Sequence, residues 1–272
     1  MTAVGAIRPV LAGTLRLGAA LLAWGFLALA WLPVGRGLPA GLDVHFLLAP
    51  PRLLGAGGGI GSVLLATGIL LVLSAVLLVA GALPVGIGLW LARRENWRWP
   101  DALADMLLAV PSIVFGLVML TAARAVDLGP SLMLGAATLS IMVLPLFARG
   151  IGEALSNLDP LWHRGAAALG LPLGLTIRRI LLPRVLPAIR EAFLLALGRA
   201  AGETAALLLV VGTGFATDWS PLSPQRVLSV HITELALHVP GGRPQAFRAA
   251  AVLAVLVLLM EWPLFAGRRS DS

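Results

Sequence analysis

The sequence predicts an all-α membrane protein that crosses the bilayer six times. Of its 272 residues, 59% are hydrophobic and 12% are charged, whereas soluble chains carry roughly a quarter of charged residues. Apolar runs of about 20 residues, each long enough to cross a bilayer as a helix, recur along the chain. The lipid bilayer is therefore the first predicted partner. The six predicted spans are residues 15–33, 63–92, 102–122, 128–148, 189–212 and 246–265.

These spans divide the chain into two parts. Residues 1–62 hold one span and an outer loop, and residues 63–269 form a core of five spans with a long inner loop at 149–190. All 20 basic residues are arginines. With the N-terminus in the cytoplasm, most of these arginines fall on the inner side, so the positive-inside rule places both termini in the cytoplasm. The net charge of +7 is therefore no indication of nucleic-acid binding.

Two absent residue types exclude several kinds of site. Without lysine the chain cannot supply a Walker A phosphate-binding loop, which needs that side chain. Without cysteine it has no disulfide, no thiolate metal site and no thiol nucleophile. Any use of ATP must then depend on another protein.

The stretch 194–211 is central to the predicted function, because it carries Arg199 and Glu203 inside an apolar span. In a continuous helix, residues four positions apart lie on one face, one turn apart. Arg199 would lie about 16 Å along a helix that begins near residue 188, close to the middle of a ~30 Å hydrocarbon layer. An ionised group there costs about 3 kcal/mol, so it normally faces a partner or an aqueous path. The two charges are either a structural ion pair between helices or a station on the route of a charged solute.

The inner loop 149–190 has a specific pattern of helix formers and breakers. Gly170 is followed ten residues later by Ile180 and then by Leu182 and Pro183. Residues 166–169 favour helix, and Gly170 and Pro172 interrupt it. Residues 173–182 are predicted to form a second short helix that ends at Pro183. Such a hairpin would present a rigid knob to another protein.

This spacing resembles the coupling-loop signature of the permeases of binding-protein-dependent ABC importers. Three further segments, residues 46–52, 110–117 and 198–204, resemble the phosphate-specific branch of that family, and within it the A-like (PstA-like) permeases. The resemblance implies the type I architecture of ABC importers and a place in the inner (plasma) membrane. It also implies three kinds of protein partner: a similar second permease of the C-like type, two ATPase subunits and a periplasmic phosphate-binding protein. The ATPases would bind ATP and magnesium, and this chain would hold no cofactor.

The resemblance also suggests roles for individual residues. Arg199, Glu203 and Thr204 would belong to the substrate pathway, with Arg199 in contact with phosphate and Glu203 tuning or gating that contact. The planar guanidinium suits this task, because it stays charged and can donate two parallel hydrogen bonds to phosphate oxygens. Coupling to the ATPase would fall to residues in this hairpin and at its end, namely Arg164, Ala166, Gly170, Ile180, Leu182 and Pro183.

Two positions depart from the pattern of the family. Arg164 stands where the coupling loop usually begins with glutamate, which reverses the local charge. Ala206 stands where the A-like permeases usually have proline, and here the sequence is more similar to the C-like type. The alternatives are therefore a permease of the C-like type, or a permease for another oxyanion.

Functions of other classes are less well supported. An intramembrane serine protease needs a histidine base within the membrane, but all four histidines fall in predicted loops (His45, His163, His231 and His238). A passive channel or a receptor would not need the knob. A short helix is predicted around residues 227–238, where His231, Glu234 and His238 could share one face; a solvated helix face is expected there rather than a metal site. The chain is expected to be a non-catalytic transport subunit.

Overall fold

Long apolar helices form the frame of the computed structural model, which describes Gly35, Gly37 and residues 43–215 and 220–267. The predicted first span, residues 15–33, lies outside the described residues. A 3₁₀ turn at Leu53–Gly55 joins two short strands, and a π-helical turn at Ile177–Leu181 joins a helix that ends at Thr176 to one that begins at Leu182. The helices are α1 (Val44–Leu48), α2 (Gly61–Arg94), α3 (Trp99–Ala109), α4 (Ser112–Arg124), α5 (Leu132–Ser156), α6 (Leu161–Ala168), α7 (Leu173–Thr176), α8 (Leu182–Ala201), α9 (Ala205–Val210), α10 (Leu228–Leu237) and α11 (Arg243–Gly267), and the strands are β1 (Pro51–Arg52) and β2 (Gly57–Gly58).

The core of the molecule is the close pairing of α2 with α5. A Cβ atom on Gly86 would lie 2.6 Å from the Cβ atom of Ile151, so the two backbones can approach only because Gly86 has no side chain. Closer to the Gly61 end of α2, the Ser140 hydroxyl of α5 donates to the carbonyl oxygen of Ser74 of α2, at 3.0 Å. Small residues and interhelical hydrogen bonds hold helices together in an apolar solvent, where burial of apolar surface supplies no net force.

Of the five predicted spans that fall within the described residues, two are not continuous helices. Within the described residues, three helices are long and apolar enough to cross a bilayer, α2, α5 and α11. The predicted span 102–122 is instead two helices, α3 and α4, bent by 93°. Proline disfavours helical geometry at the residue before it, and Val110, which precedes Pro111, is accordingly extended with φ −68° and ψ 130°. The predicted span 189–212 is also broken, at the site described below.

The two ends of α2 are anchored differently. At the Gly61 end, the Thr67 hydroxyl accepts a hydrogen bond from the backbone N–H of Leu228 at 2.8 Å. This contact fixes the start of α10. Helix α10, at Leu228–Leu237, confirms the short helix predicted around residues 227–238. At the Arg94 end, Arg93 binds the Asp101 carboxylate through Nε (2.9 Å) and Nη2 (2.6 Å) and so ties α3 to α2. Because α2 has 34 residues and is about 51 Å long, it extends beyond a ~30 Å hydrocarbon layer.

Candidate functional site

A break in a membrane helix lies where the sequence has its charged apolar stretch. Helix α8 ends at Ala201, Gly202 follows it, and α9 begins at Ala205. One oxygen of the Glu203 carboxylate, Oε1, accepts hydrogen bonds from the backbone N–H groups of Thr204 (3.1 Å), Ala205 (3.0 Å) and Ala206 (3.4 Å). These amides begin a helix and have no partner inside it. The carboxylate therefore stabilises the start of α9 and, with it, the break.

The prediction of a continuous helix with Arg199 and Glu203 on one face is therefore wrong. The apolar pattern continues across residues 194–211, but the Glu203 side chain bonds to the backbone and competes with the helix there. Arg199 and Glu203 do not form an ion pair with each other, and neither forms one with another of the described residues. Arg199 lies in the last turn of α8 and its side chain is exposed. Its charge complements the negative end of that helix.

Residues from several helices surround the break. A Cβ atom on Gly116 of α4 would lie 2.8 Å from the carbonyl oxygen of Ala206, so α4 and α9 are in close contact. The segment 110–117 thus lies against the start of α9, which directly follows the segment 198–204. On another side, Thr204 lines a cavity of about 450 Å³ together with Ser229 and Thr233. Three hydroxyl-bearing residues therefore line an otherwise apolar cavity beside the break.

Glu261 is a charged neighbour of this site that the sequence-based prediction overlooked. It lies near the end of α11 and is half-buried. A Cβ atom on Gly198 would lie 2.6 Å from Glu261 Oε1, so the carboxylate rests on the residue next to Arg199. The signal was present in the sequence, because a single carboxylate within the predicted span 246–265 is rare enough to suggest a function.

The inner-loop residues form a hairpin, here called the knob, which comprises residues 161–181. Helix α6 ends at Ala168, and after Leu169 the chain turns at Gly170 with φ +68°, a conformation that glycine adopts without strain. The apolar tip is open to solvent, since Leu169 is 79% and Leu173 is 47% exposed. Leu173 lines a cavity with Arg94, which places the knob at the Arg94 end of α2.

The predicted end of the second knob helix at Pro183 is wrong. The helix runs from α7 through the π-helical turn into α8, and Pro183 lies in the first turn of α8. In the π turn, the N–H of Leu182 bonds to the carbonyl oxygen of Ile177, five residues earlier. The wider turn accommodates a proline that lacks an N–H group, so the knob is continuous with the broken span.

The six predicted coupling residues fall into three groups by burial. Arg164, Gly170 and Pro183 are exposed, Ile180 and Leu182 are half-buried, and Ala166 is buried. The half-buried pair packs against the main core, so only part of the predicted set is available to a partner.

The knob and its root have a strongly positive surface. Residues 160–190 contain five arginines and no carboxylate. The guanidinium of Arg184 lies 3.1 Å from the ring centroid of Trp162 and so fixes α6 against α8 by a cation–π contact. Partial burial, together with the charges of Arg94 and Arg164, lowers the pKa of His163. The surface therefore favours a partner with negative charge.

At the Gly61 end, a second group of residues surrounds a buried arginine. This cap cluster comprises Phe215, Arg226 and His231 with the backbone of Leu54 and Gly55. Arg226 donates from Nε to the carbonyl oxygen of Thr213 at 2.6 Å and from Nη1 to that of Leu54 at 3.3 Å. Its guanidinium also lies 4.3 Å from the centroid of the Phe215 ring.

His231 is fully buried in the cap cluster, so the solvated face predicted for it is wrong. Its two ring nitrogens have no hydrogen-bond partner within the part of the chain that the structure describes. Burial, and secondarily the charge of Arg226, lowers the pKa of His231 to about 4. His238 lies near Glu234, with 3.5 Å between Nδ1 and Oε1. The described residues hold no cluster of ligands for a metal ion.

Comparisons with known proteins agree with this architecture. A family model described as "Binding-protein-dependent transport system inner membrane component" matches residues 84–262. Phosphate transport system permease protein PstA 2 of Mycobacterium bovis is 32% identical over 253 residues, which cover 88% of this chain and 80% of the relative. Phosphate transport system permease protein PstA of Xylella fastidiosa is 32% identical over 241 residues, covering 84% and 80%.

A solved structure shows the same fold at lower identity. The MetNI methionine ABC transporter, in an inward-facing conformation, has a chain that aligns with a TM-score of 0.61 and 21% identity, over 75% of this chain and 91% of its own length. The all-α architecture of ABC importer permeases is thereby confirmed. This chain belongs to the family of binding-protein-dependent transport system inner membrane components, and it is a multi-pass permease component of an ABC transporter.

Proposed function

We propose that this chain is the PstA-like permease of an ATP-driven phosphate importer. The observation that carries the proposal is Arg199, an exposed cation beside a break in an apolar span. The names of the two relatives, both phosphate transport permeases of the PstA type, support the cargo and favour the A-like type over the C-like type. Another oxyanion is the alternative cargo, because a guanidinium binds many oxyanions alike.

Arg199 supplies the contact that lets an anion pass an apolar region. Phosphate carries between one and two negative charges near neutral pH and would not enter a bare apolar path. The guanidinium offers a planar pair of donors to its oxygens. Thr204 and the other hydroxyl-bearing residues beside the break, Ser229 and Thr233, line the cavity next to this contact.

Glu203 acts on the pathway through the backbone. Its carboxylate holds the amides of residues 204–206, and this interaction keeps the chain broken next to Arg199. A broken helix is a place where the chain can change direction at small cost, because few backbone hydrogen bonds are lost. We infer that Glu203 gates the site by maintaining this break.

The knob transmits motion from a cytoplasmic motor. In this proposal two ATPase copies, which bind ATP and magnesium, receive the apolar tip at Leu169 and Leu173, and their closure tilts the helices as rigid bodies. Because α7, the π turn and α8 are continuous, a push on the tip reaches the break directly. The arginines around the tip, including Arg164, call for a groove with acidic residues at its rim, which compensates for the reversed charge at this position.

The remaining partners and the orientation follow from the same assignment. The knob faces the cytoplasm together with both termini, in agreement with the distribution of arginines. A similar second permease completes the pathway and covers exposed apolar faces of this chain. A phosphate-binding protein delivers the anion at the opposite side, where the cap cluster lies.

The test is phosphate uptake by the complete complex in vesicles, with ATP inside and the loaded binding protein outside. We expect Arg199→Gln to lower uptake at least about 10-fold, because a hydrogen bond to a charged group contributes about 1.5–3 kcal/mol. Arg124→Gln is the matched control, since Arg124 is an exposed arginine at the end of α4 and should not affect uptake. Both variants must co-purify normally with the partners.

Three outcomes would overturn the proposal. Normal uptake by Arg199→Gln would remove Arg199 from the pathway. Uptake of another oxyanion in preference to phosphate would change the cargo. Uptake without ATP, or by this chain without an ATPase, would show that the protein is not an importer component of this kind.

A further inference from the structure

Glu261 has no role in the proposed pathway, although it lies inside the last apolar span. Among the described residues it has neither an ion pair nor a hydrogen bond. Gly198 makes room for it, because a Cβ atom there would lie 2.6 Å from Oε1 and 3.2 Å from Cγ of Glu261. An unpaired carboxylate in a bilayer is costly and normally has a function.

The packing of α8 against α11 holds this carboxylate beside Arg199. Leu197 and Ala201 form a small core with Val257 and Met260 of α11, and Gly198 lies on the same side of α8. The Glu261 oxygen is at most about 4 Å from the Cα atom of Gly198, and consecutive Cα atoms are about 3.8 Å apart, so it lies within about 8 Å of the Cα atom of Arg199. The side chain of an arginine can span that distance.

The other nearby carboxylate is already occupied. Glu203 is bound to three backbone amides, which leaves Glu261 as the counter-charge within reach of Arg199. The structure shows the two groups apart, with the Arg199 side chain exposed. Their separation costs free energy in an apolar medium, where opposite charges attract strongly.

We propose that Glu261 is the exchangeable counter-ion of Arg199: it binds the guanidinium when no cargo is present and competes with the anion for it. The inference rests on the proposed function, because it requires that Arg199 contacts the cargo. A carboxylate and a phosphate that bind the same edge of the guanidinium compete for the same two N–H donors. A tethered carboxylate has a high effective concentration, so it displaces a bound phosphate and promotes its release.

This arrangement explains how a site can bind an anion without retaining it. The two side chains are apart in this structure, and in the proposed cycle they form a neutral pair once the cargo has left. With phosphate bound to Arg199, the freed carboxylate adds a negative charge nearby and repels the anion. Transport sites need such weak binding, since an ion held too tightly does not leave.

The test measures retained phosphate and turnover in the same purified complex. We expect Glu261→Gln to raise the affinity of the detergent-solubilised complex for phosphate, without binding protein, about 10-fold. The maximal rate of uptake in vesicles should fall by a similar factor, because release becomes slow. Glu95→Gln is the control, since Glu95 is an exposed carboxylate just past the end of α2, and it should change neither quantity.

Two further variants separate exchange from a structural role. Glu261→Asp keeps the charge and should restore part of the uptake rate. Gly198→Ala keeps the carboxylate but displaces its flexible end, so it should act like Glu261→Gln with a smaller factor, about 3-fold, and it serves if Glu261→Gln does not assemble. A structural role would lower the yield of complex without changing the phosphate bound per complex.

The failures of this inference and of the proposed function are distinguishable. If Glu261→Gln binds and transports phosphate like the natural protein while Arg199→Gln loses uptake, the counter-ion role is wrong and the proposed function stands. If Arg199→Gln transports normally, the proposed function fails, and this inference with it. Adding Glu261→Gln to Arg199→Gln should raise the affinity for phosphate by much less than the 10-fold expected in the natural background, because there is then no guanidinium to compete for; an equal increase in both backgrounds would refute exchange.

Discussion

Arg226 and Arg199 show two uses of the same side chain in one molecule. Arg226, in the cap cluster, is 8% exposed, and two of its donors bond to backbone carbonyl oxygens while Phe215 covers its face. Arg199 is exposed and has no hydrogen bond or ion pair within the described residues. A cation that holds a fold together has its donors occupied by that fold, whereas a cation that serves a passing anion needs its donors available.

The same contrast applies to the carboxylates near the break. Glu203 uses its charge on backbone amides and fixes a local conformation. Glu261 lies against a glycine with no partner among the described residues. Arg226 and Glu203 are thus bound within the fold. Arg199 and Glu261 have no hydrogen-bond or ion-pair partner among the described residues.

The largest expected effect concerns the stability of the cap cluster. Arg226→Gln would leave the carbonyl oxygens of Thr213 and Leu54 without their donor, so we expect a loss of about 3 kcal/mol in the free energy of unfolding. Arg199→Gln should cost less than about 1 kcal/mol, because exposed charges contribute little to stability. Thermal unfolding of the purified complex measures both. Equal shifts in the two variants would show that the burial of Arg226 has no structural importance.

The next effect is a dependence of stability on pH that arises from His231. In the unfolded chain the imidazole has its ordinary pKa near 6.5, while in the folded protein burial lowers it to about 4. The unfolded state therefore binds the proton first as the pH falls. The contribution to stability is complete above pH 6.5 and is lost as the pH decreases toward 4, by about 2 kcal/mol at pH 5.

His231→Leu should remove this part of the pH dependence, because an apolar side chain of similar size cannot be protonated. His238→Leu is the control, since His238 is exposed and lies near Glu234. Unfolding temperatures at pH 7 and pH 5 give the comparison. The charged groups that face His231 are Arg226 and, one turn further along α10, Glu234. The same dependence of stability on pH in the natural protein and in His231→Leu would mean that His231 is not the group that titrates.

The sequence predicts the uninterrupted parts of the fold well. The helices α2, α5, α10 and α11 follow from apolar runs and their flanking breakers, and the turn at Gly170 follows from its conformational freedom. These features depend on local composition, so a single sequence contains the information. The family was predicted from short motifs and is confirmed, whereas the roles assigned to the site residues stay predictions.

The breaks in the predicted spans 102–122 and 189–212 were not predicted, because apolar residues continue across both of them. Residues 194–211 read as one span, and only the side-chain bonds of Glu203 show that the helix ends at Ala201. At Pro183 the sequence predicted the end of a helix, but the helix continues there, since a π turn accommodates the proline. The bend at Pro111 could have been predicted from the restriction on the residue before proline. Breaks of this kind depend on hydrogen bonds between particular atoms.

The smallest expected effect separates the charge of Glu203 from its hydrogen bonds. Glu203→Ala removes the acceptor for three amides and should cost about 1 kcal/mol, the usual effect of losing a helix cap. Glu203→Gln keeps a carbonyl oxygen at the same place, so its stability should stay within about 0.5 kcal/mol of the natural protein. Thermal unfolding measures both values, and equal losses would show that the charge of the carboxylate, and not its acceptor oxygen, stabilises the start of α9.

Phosphate uptake by these two variants then decides how Glu203 serves transport. If the break itself is what matters, Glu203→Gln transports normally and Glu203→Ala is impaired, because only the amide side chain still holds the start of α9. If instead the charge of Glu203 tunes Arg199 across the gap, both variants lose uptake equally. The second result would contradict a purely structural role for Glu203, since a carboxylate bound to three amides would then also act on the anion.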